Sequence, residues 1–547
     1  MSRTGTFTPK IVSVLREGYD LKRFKGDLAA GFTVAVIALP LAMALAIASG
    51  ASPDRGLVTA IIAGFFVSLL GGSRVQIGGP TGAFVVVVSN VIAAHGYDGL
   101  LLATLMAGLI LIAAGYSGLG RIIRYIPHPV VTGFTAGIAV IIATSQLRDL
   151  LGLQMAAVPP GFVEKWAAYL KAAGSFQPVA LAFGAGSLAL ILLLRRYAPR
   201  APAFLIALVV GSAAVALLGL QIDTVGSRFP ASGTGFDLPG LPAFSLAKVQ
   251  EVLPSAFTIA FLAGIEALLS CVVADGMTGF RHRSNQELVG QGVANLASAL
   301  FGGLPATGAI ARTAANVKSG GRTPFAGIFH SAFLLLFVLF GSDLMAFVPM
   351  TVLAAVLLVV AWGMSEARRF VLLLRMPIGE RSILIVTFLL TVLVDLTVAI
   401  GVGVTIASFL FMARMSESVA VTSEHEQEDA SQRDRLPPGV EVFRISGPFF
   451  FGVAGELLEA LKRIGGTPRV IILRLEEVPF LDASGAIALE EFFSEARTSG
   501  IRVIVAGMQP RLAELMDRAQ APGSGEQPIQ APSYEAALAI ARAEPPR

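Results

Sequence analysis

Two ionisable residues stand where a lipid-facing chain has least use for them. Arg312 lies in GLPATGAIARTAANVKSGG, residues 303 to 321, and Glu266 lies in FLAGIEALLSC. A charge inside a membrane is expensive and marks function. A guanidinium there is a fixed positive charge with five N–H donors, which suits an anion. A carboxylate there resists ionisation and takes up a proton, while a nearby arginine favours its charged form. An anion arriving at Arg312 would neutralise it and let Glu266 bind a proton, so the two could couple. The plain alternatives are a static Glu–Arg pair, or an arginine that snorkels to an interface.

Such charges need elements to hold them, and the chain repeats the elements. PLAMALAIASG (40–50) parallels EALLSCVVADG (266–276), and LLGGSRVQIGGPTGAF (69–84) parallels ALFGGLPATGAIA (299–311). Both pairs have the same order and an offset of about 225 residues. The repeat sets Pro40, not an acid, opposite Glu266. Pro80 and Pro305 suit the first turn of a helix, where no backbone N–H is needed. Gly78, Gly79, Gly302 and Gly303 let the preceding chain run extended. Each half would then end a short helix inside the membrane, with unpaired N–H groups and a partial positive charge at its N-terminus. Two such ends facing one cavity attract an anion. On this spacing Arg312 falls about two turns into the second helix.

Composition fixes the setting. Of 547 residues 54% are hydrophobic and 14% charged, and the mean hydropathy is +0.74. Soluble domains carry about 25% charged residues, so this is a membrane protein. Long Leu, Ala, Val and Ile blocks without period-2 alternation indicate helices and not an outer-membrane barrel. Spans are expected near 28–49, 56–72, 79–94, 99–117, 129–150, 177–195, 202–219, 252–274, 286–301, 305–317, 325–341, 345–363, 381–399 and 401–415. The last two could form one broken hairpin. Alternate loops hold the basic clusters: Arg74; Arg121 and Arg124; Arg195, Arg196 and Arg200; Arg281 and Arg283; Lys318 and Arg322; Arg368, Arg369, Arg375 and Arg381. Cationic loops stay in the cytoplasm, which places both termini there and requires an even number of spans. Seven spans per half is odd, so the second half must be inverted, as in secondary transporters that bind substrate near the midplane.

The N-terminal segment, residues 1–27, has no h-region with a cleavage site and is expected to be a cytoplasmic lead-in. Residues 28–415 are the transport part, 416–437 a polar acidic linker, and 438–547 a soluble α/β domain. In that domain VEVFRI, RVIILRL and IRVIVAG look like strands, and SGAIALEEFFSEARTSG and PRLAELMDRA like helices. The single cysteine, Cys271, excludes an internal disulfide, and no metal spacing is present. No Walker-type loop or nucleophile–base arrangement appears, so neither an enzyme nor a cofactor is expected. The net charge of +4 is spread between apolar runs and implies no nucleic-acid partner.

GGPTGAF, DGMTGFRHRSNQELVGQGVANLASALFGGLPATGAIARTAANVKSGGRTP and VPFLDASGAIAL together resemble the sulfate permease (SulP) family of anion transporters. The resemblance implies an α-helical membrane protein of fourteen spans in two inverted seven-helix repeats. Its fold would be that of uracil permease, with a core domain moving against a gate domain, followed by a STAS domain. It also implies a homodimer in lipid and a small anion as substrate. Carried over by position, the anion pocket comprises Gly79, Pro80, Thr81, Gly82 and Ala83, with Ala309, Ile310, Ala311 and Arg312. Animal members often place a serine before the arginine. Here Ala311 stands there, and Thr307 or Thr313 is the candidate replacement. Sodium-coupled cyanobacterial bicarbonate members have an aspartate at the position of Glu266 and lack the arginine, so a proton is ranked above sodium as the coupled ion.

The expectation is a bacterial inner-membrane transporter of sulfate first, then bicarbonate or a C4-dicarboxylate. Sodium-coupled bicarbonate uptake, an anion channel and a non-transporting sensor signalling through STAS remain the alternatives. Gln76 is a secondary ligand candidate, as is Asn90, and Asp275 is expected at the cytoplasmic end. His95, His128 and His282 sit at span ends, and Trp166 and Trp362 read as interface anchors. Asp482 and Ser484 open a helix of the soluble domain. Either could cap it, and Ser484 matches the serine phosphorylated in similar anti-sigma antagonists.

Overall fold

The computed structural model describes residues 7–543 except 122–126, 156–157, 160, 200, 230–239, 241, 243–244, 395, 418–419, 424–435, 451–467 and 520–527. Arg124, Arg200 and most of the expected linker therefore lie outside the described residues. The chain divides into two units, Met1–Val404 and Thr405–Arg547.

The first half of the membrane unit contains α1 (Leu21–Ala48), α2 (Pro53–Leu70), β1 (Gly78–Gly79), α3 (Phe84–Tyr116), α4 (His128–Ser145), α5 (Pro178–Tyr197) and α6 (Ala203–Leu218). The second contains α7 (Leu246–Thr278), α8 (Ser284–Leu300), β2 (Thr307–Gly308), α9 (Ile310–Lys318), α10 (Phe325–Gly341), α11 (Met350–Met364), α12 (Ile378–Leu393) and the start of α13 (Leu396–Glu417), whose residues after Val404 belong to the second unit. α3 breaks at Gly96, whose φ of 71° is open to glycine, so it is two arms and answers to two expected spans. With those arms counted separately, the described residues give the fourteen expected segments in order. Eight of the described helices are long and apolar enough to cross a membrane alone, and α6 and α10 are apolar but shorter. α9 is shorter still, because β2 takes the first part of the expected span 305–317.

The helices form two packing groups. α3 lies on α7 and α8, α2 on α8 and α10, α1 on α10, and α9 on α7. The other group joins α4 to α12 and α11, and α11 to α5. Small residues set these distances. Gly108 of α3 and Gly292 of α8 face each other, and a Cβ on either would meet the other's carbonyl oxygen at 2.7 and 2.6 Å. Close backbone approach of this kind is how helices associate in lipid, where burial from water offers no driving force.

The second unit carries a five-stranded sheet of β3 (Ala420–Ser423), β4 (Val440–Ser446), β5 (Val470–Glu477), β6 (Arg502–Ala506) and β7 (Ile529–Ala531), in that order. β3 pairs antiparallel and the rest are parallel. β3 falls within the stretch expected to be linker, where AVTS, with β-branched Val421 and Thr422 at its centre, pairs with β4. Ile471, Leu473 and Val505 pack on the face of α14 (Ala483–Thr498), while Val442, Ile472 and Ile504 face α16 (Tyr534–Ala543); α15 (Pro510–Ala519) lies between in sequence. Both faces are covered, as a parallel sheet requires.

Candidate functional site

The two repeated segments meet. β1 and β2 pair antiparallel, Gly78 opposite Gly308 and Gly79 opposite Thr307, and the Ala309 N–H donates to Ile77 O at 2.9 Å. This pair lets two strands of opposite direction carry α3 and α9 away from one point. It also shifts the helix starts from those expected. Neither Pro80 nor Pro305 occupies a first helical turn, since α3 begins at Phe84 and α9 at Ile310. Pro80 instead precedes a turn in which the Phe84 N–H donates to Thr81 O at 3.2 Å. In the second half, pairing holds Thr307 and Gly308 extended, so the helix forms only after Ala309. Arg312 is accordingly the third residue of α9 and not two turns in.

Arg312 is 1% exposed. Its Nη2 donates to Pro80 O across the crossing. Its Nε and Nη1 are buried with no partner among the described residues. Gly79 has a φ of 146°, and a methyl there would overlap Nη1, so only glycine lets the guanidinium lie against β1. Glu266 is not bonded to Arg312; its Oε2 accepts from Thr81 Oγ1 at 2.8 Å. Among the described residues no salt bridge joins the two, and the acid and the guanidinium reach the same segment, Pro80–Thr81. Gly79, Pro80, Thr81, Gly82, Ala83 and Ala309 are buried, whereas Ile310 and Ala311 are exposed at the start of α9. The two carried-over stretches therefore meet at the β1–β2 crossing, where Gly79 and Pro80 lie against the Arg312 guanidinium.

The secondary candidates are engaged elsewhere. Gln76 Nε2 donates to Ala267 O at 3.2 Å, and its Oε1 accepts from Cys271 Sγ. Thr307 Oγ1 donates to Ala263 O at 2.8 Å. Thr313 Oγ1 accepts from Ile77 N at 3.1 Å and from Ser270 Oγ at 3.3 Å. These three tie β1, β2 and α9 to α7, and they position the site without aiming at its centre. Asp275 accepts from the His282 backbone N–H at 2.9 Å and contacts that imidazole at 2.7 Å, which closes the end of α7.

Several residues that build the site were not singled out by the sequence reading. Asn295 receives the Ala306 N–H at 2.9 Å and donates to Ala306 O at 2.8 Å, clamping the chain that enters β2. Thr59 Oγ1 accepts from Leu304 N at 2.7 Å, and Ser298 Oγ donates to Leu304 O at 2.7 Å. Glu287 Oε2 accepts from Gly72 N at 2.7 Å and Ser73 N at 3.0 Å, and Asn316 Nδ2 donates to Val75 O at 2.8 Å, so the approach to β1 is fixed as well. A signal was present: Glu287, Gln291, Asn295 and Ser298 form one polar stripe at helical spacing on a helix whose other residues after Gln286 are apolar or glycine. In the second unit the cap is Asp482, which accepts from Gly485 N at 2.7 Å, and Ser484 is exposed.

Comparison with known proteins bears on these residues. The model of the sulfate permease family matches residues 24–387, and that of the STAS domain matches 433–529. The chain is 38% identical over 504 residues to a protein named "Putative sulfate transporter YvdB" from Bacillus subtilis (strain 168), covering 92% of this chain and 95% of the relative. It is 35% identical over 524 residues to the bicarbonate transporter BicA of Synechocystis sp. (strain ATCC 27184 / PCC 6803 / Kazusa), covering 91% of each. The solved transmembrane domain of a cyanobacterium bicarbonate transporter BicA superposes with a TM-score of 0.64 at 36% identity, over 70% of this chain and 98% of that one. Murine Slc26a9, an anion transporter solved in an inward-facing state, superposes with a TM-score of 0.86 at 18% identity over 100% of this chain and 96% of its own, which shows the shared fold.

Proposed function

The chain belongs to the sulfate permease family, and from that premise we propose that it is a secondary active transporter of a small anion, working by alternating access. The observation that carries this reading is Arg312, buried with two donor nitrogens that have no partner among the described residues, beside the N-termini of α3 and α9. A buried guanidinium with free donors is a site for a charge-assisted hydrogen bond to an anion. Gly79 to Ala83 and Ala309 to Arg312 line the site, and the group containing α3, α7 and α9 carries it past the group of α4, α5, α11 and α12. A fixed cation beside helix ends favours a divalent anion, which ranks sulfate first. Bicarbonate follows, supported by the similarity to BicA, and then C4-dicarboxylates.

Coupling is to protons through Glu266. Thr81 links that carboxylate to the segment whose carbonyl holds Arg312. Neutralising Arg312 with an anion removes the positive field that favours ionised Glu266, so anion and proton bind together. The transport part is assigned to residues 28–415 and the STAS domain to 438–547, with β3 of the stretch between them added to the sheet of the second unit, in a homodimer of a bacterial inner membrane with both termini cytoplasmic. Uptake into proteoliposomes, competed by sulfate, bicarbonate, chloride, fumarate and succinate, tests the reading. Concentrative uptake driven by an imposed pH gradient is expected. Anion binding without flux would make the protein a sensor, and current indifferent to the pH gradient would make it a channel.

A further inference from the structure

A cavity of about 460 Å³ lies apart from the β1–β2 crossing. It is bordered by the short helix Leu147–Leu151, the start of α5, the short helix Val225–Arg228 and the start of α11. No residue of β1, β2, α3, α7 or α9 lines it. Four charged side chains do: Arg148, Asp149, Asp223 and Arg228.

These four are not equally occupied. Arg228 Nη1 donates to Asp149 Oδ1 at 2.7 Å and Nη2 to Asp223 Oδ2 at 3.1 Å, so both carboxylates are engaged by one guanidinium. Among the described residues Arg148 has no carboxylate hydrogen-bond partner. Its Nη2 donates to Met155 O at 2.7 Å, and its Nε is buried without a partner among the described residues. Thr351 also lines the cavity, is 1% exposed, and has an Oγ1 without a partner among the described residues. Thr351 is the second residue of α11, after Pro349. Its hydroxyl therefore stands at a helix N-terminus, where the helix dipole favours negative charge; the Met350 N–H there already donates to Asp223 O at 2.9 Å, and the Val352 and Leu353 N–H groups turn back to Pro349 O at 3.1 and 3.4 Å.

Buried polar atoms are ordinarily satisfied. Here, among the described residues, a guanidinium N–H and a hydroxyl are left open on one polar cavity, and the hydroxyl stands at the positive end of a helix dipole. We propose that this cavity is a second anion site, taking a small monovalent anion held by Arg148 Nε and Thr351 Oγ1 in the positive field of the α11 N-terminus. The two arginines and two aspartates sum to zero charge. One added negative charge is met by the helix end and the open guanidinium edge, whereas a divalent anion would set its second charge beside two carboxylates. The site thus differs from the crossing in its charge preference, and it stands on residues that the transport reading does not use.

Diffraction from the full chain with bromide and, separately, formate as probes tests this. The expected result is saturable occupancy within hydrogen-bond reach of both Thr351 Oγ1 and Arg148 Nε. The two probes distinguish a spherical halide from a planar oxyanion of equal charge. Thr351→Val should remove the bound ion and Thr351→Ser should keep it, with uptake at the crossing measured as a control for folding. Absence of both probes from the wild-type cavity overturns the proposal. So does sulfate displacing them there, or a peak that does not saturate and that Thr351→Val leaves unchanged, which marks an adventitious ion only.

Discussion

The two halves of the membrane unit build the same crossing and furnish it differently. In the first, GGPTGAF supplies β1, a turn and the start of α3, with no ionisable side chain among those seven residues. In the second, the equivalent stretch supplies β2 and α9, and Arg312 follows within the first turn. The flanking helices differ likewise: α7 carries Glu266 where α1 carries Pro40. Repetition therefore provides position, two helix ends brought to one point by an antiparallel pair. Asymmetry provides charge, one cation and one acid per chain. A helix end contributes only a partial charge, so on the proposed reading the side chains of Arg312 and Glu266 add the anion clamp and the titrating partner, one of each for one coupled site.

This comparison can be broken at its junction. Gly79→Ala puts a Cβ on a residue of the uncharged half, at a φ of 146° and into Arg312 Nη1 of the charged half. Anion binding should be lost in a protein that still purifies as a folded species, measured by radiolabelled anion binding. Binding at wild-type strength would mean that the halves do not share one site.

Glu266→Gln removes the acid that α1 lacks while keeping a group that can meet Thr81. Exchange of anion across proteoliposomes should survive, and uphill uptake driven by a pH gradient should vanish. A variant that still concentrates anion in step with the proton gradient would remove Glu266 from coupling, and a response to a sodium gradient at fixed pH would replace the proton.

Smaller effects sharpen the account of position. Asn295→Ala leaves both the N–H and the carbonyl of Ala306 without their partner. Orphaning such buried groups costs about 1–3 kcal/mol, read as a lowered midpoint of thermal unfolding together with weakened anion binding, since β2 loses its clamp. Asp482→Ala in the second unit removes only a helix cap, worth about 1 kcal/mol of that unit's stability, and should leave anion binding unchanged.

Much of this was legible before any coordinates. The repeat, the Gly/Pro interruptions and the isolation of Arg312 and Glu266 in apolar runs are all properties of the string. What was not legible depends on contacts between distant segments. A two-residue strand has no pattern of its own, so the pairing of Gly79 with Thr307, and with it the late start of α9, could not be read. The same holds for the open donors of Arg312, which depend on Glu266 turning to Thr81. The polar stripe from Glu287 to Ser298 was readable at helical spacing, but it needed the question of what holds the crossing in place. The cavity at Arg148 and Thr351 joins residues some two hundred positions apart, with no shared motif.

The most direct test of the central claim is the equilibrium affinity of the purified full chain for its transported anion in Arg312→Ala, with Arg312→Lys as the charge-preserving control. Loss of a charged hydrogen bond should weaken binding by about 1.5–3 kcal/mol, roughly ten- to a hundred-fold or somewhat more, with the lysine variant falling between. An Arg312→Ala protein that is folded and binds the anion as tightly as the wild type would contradict the account.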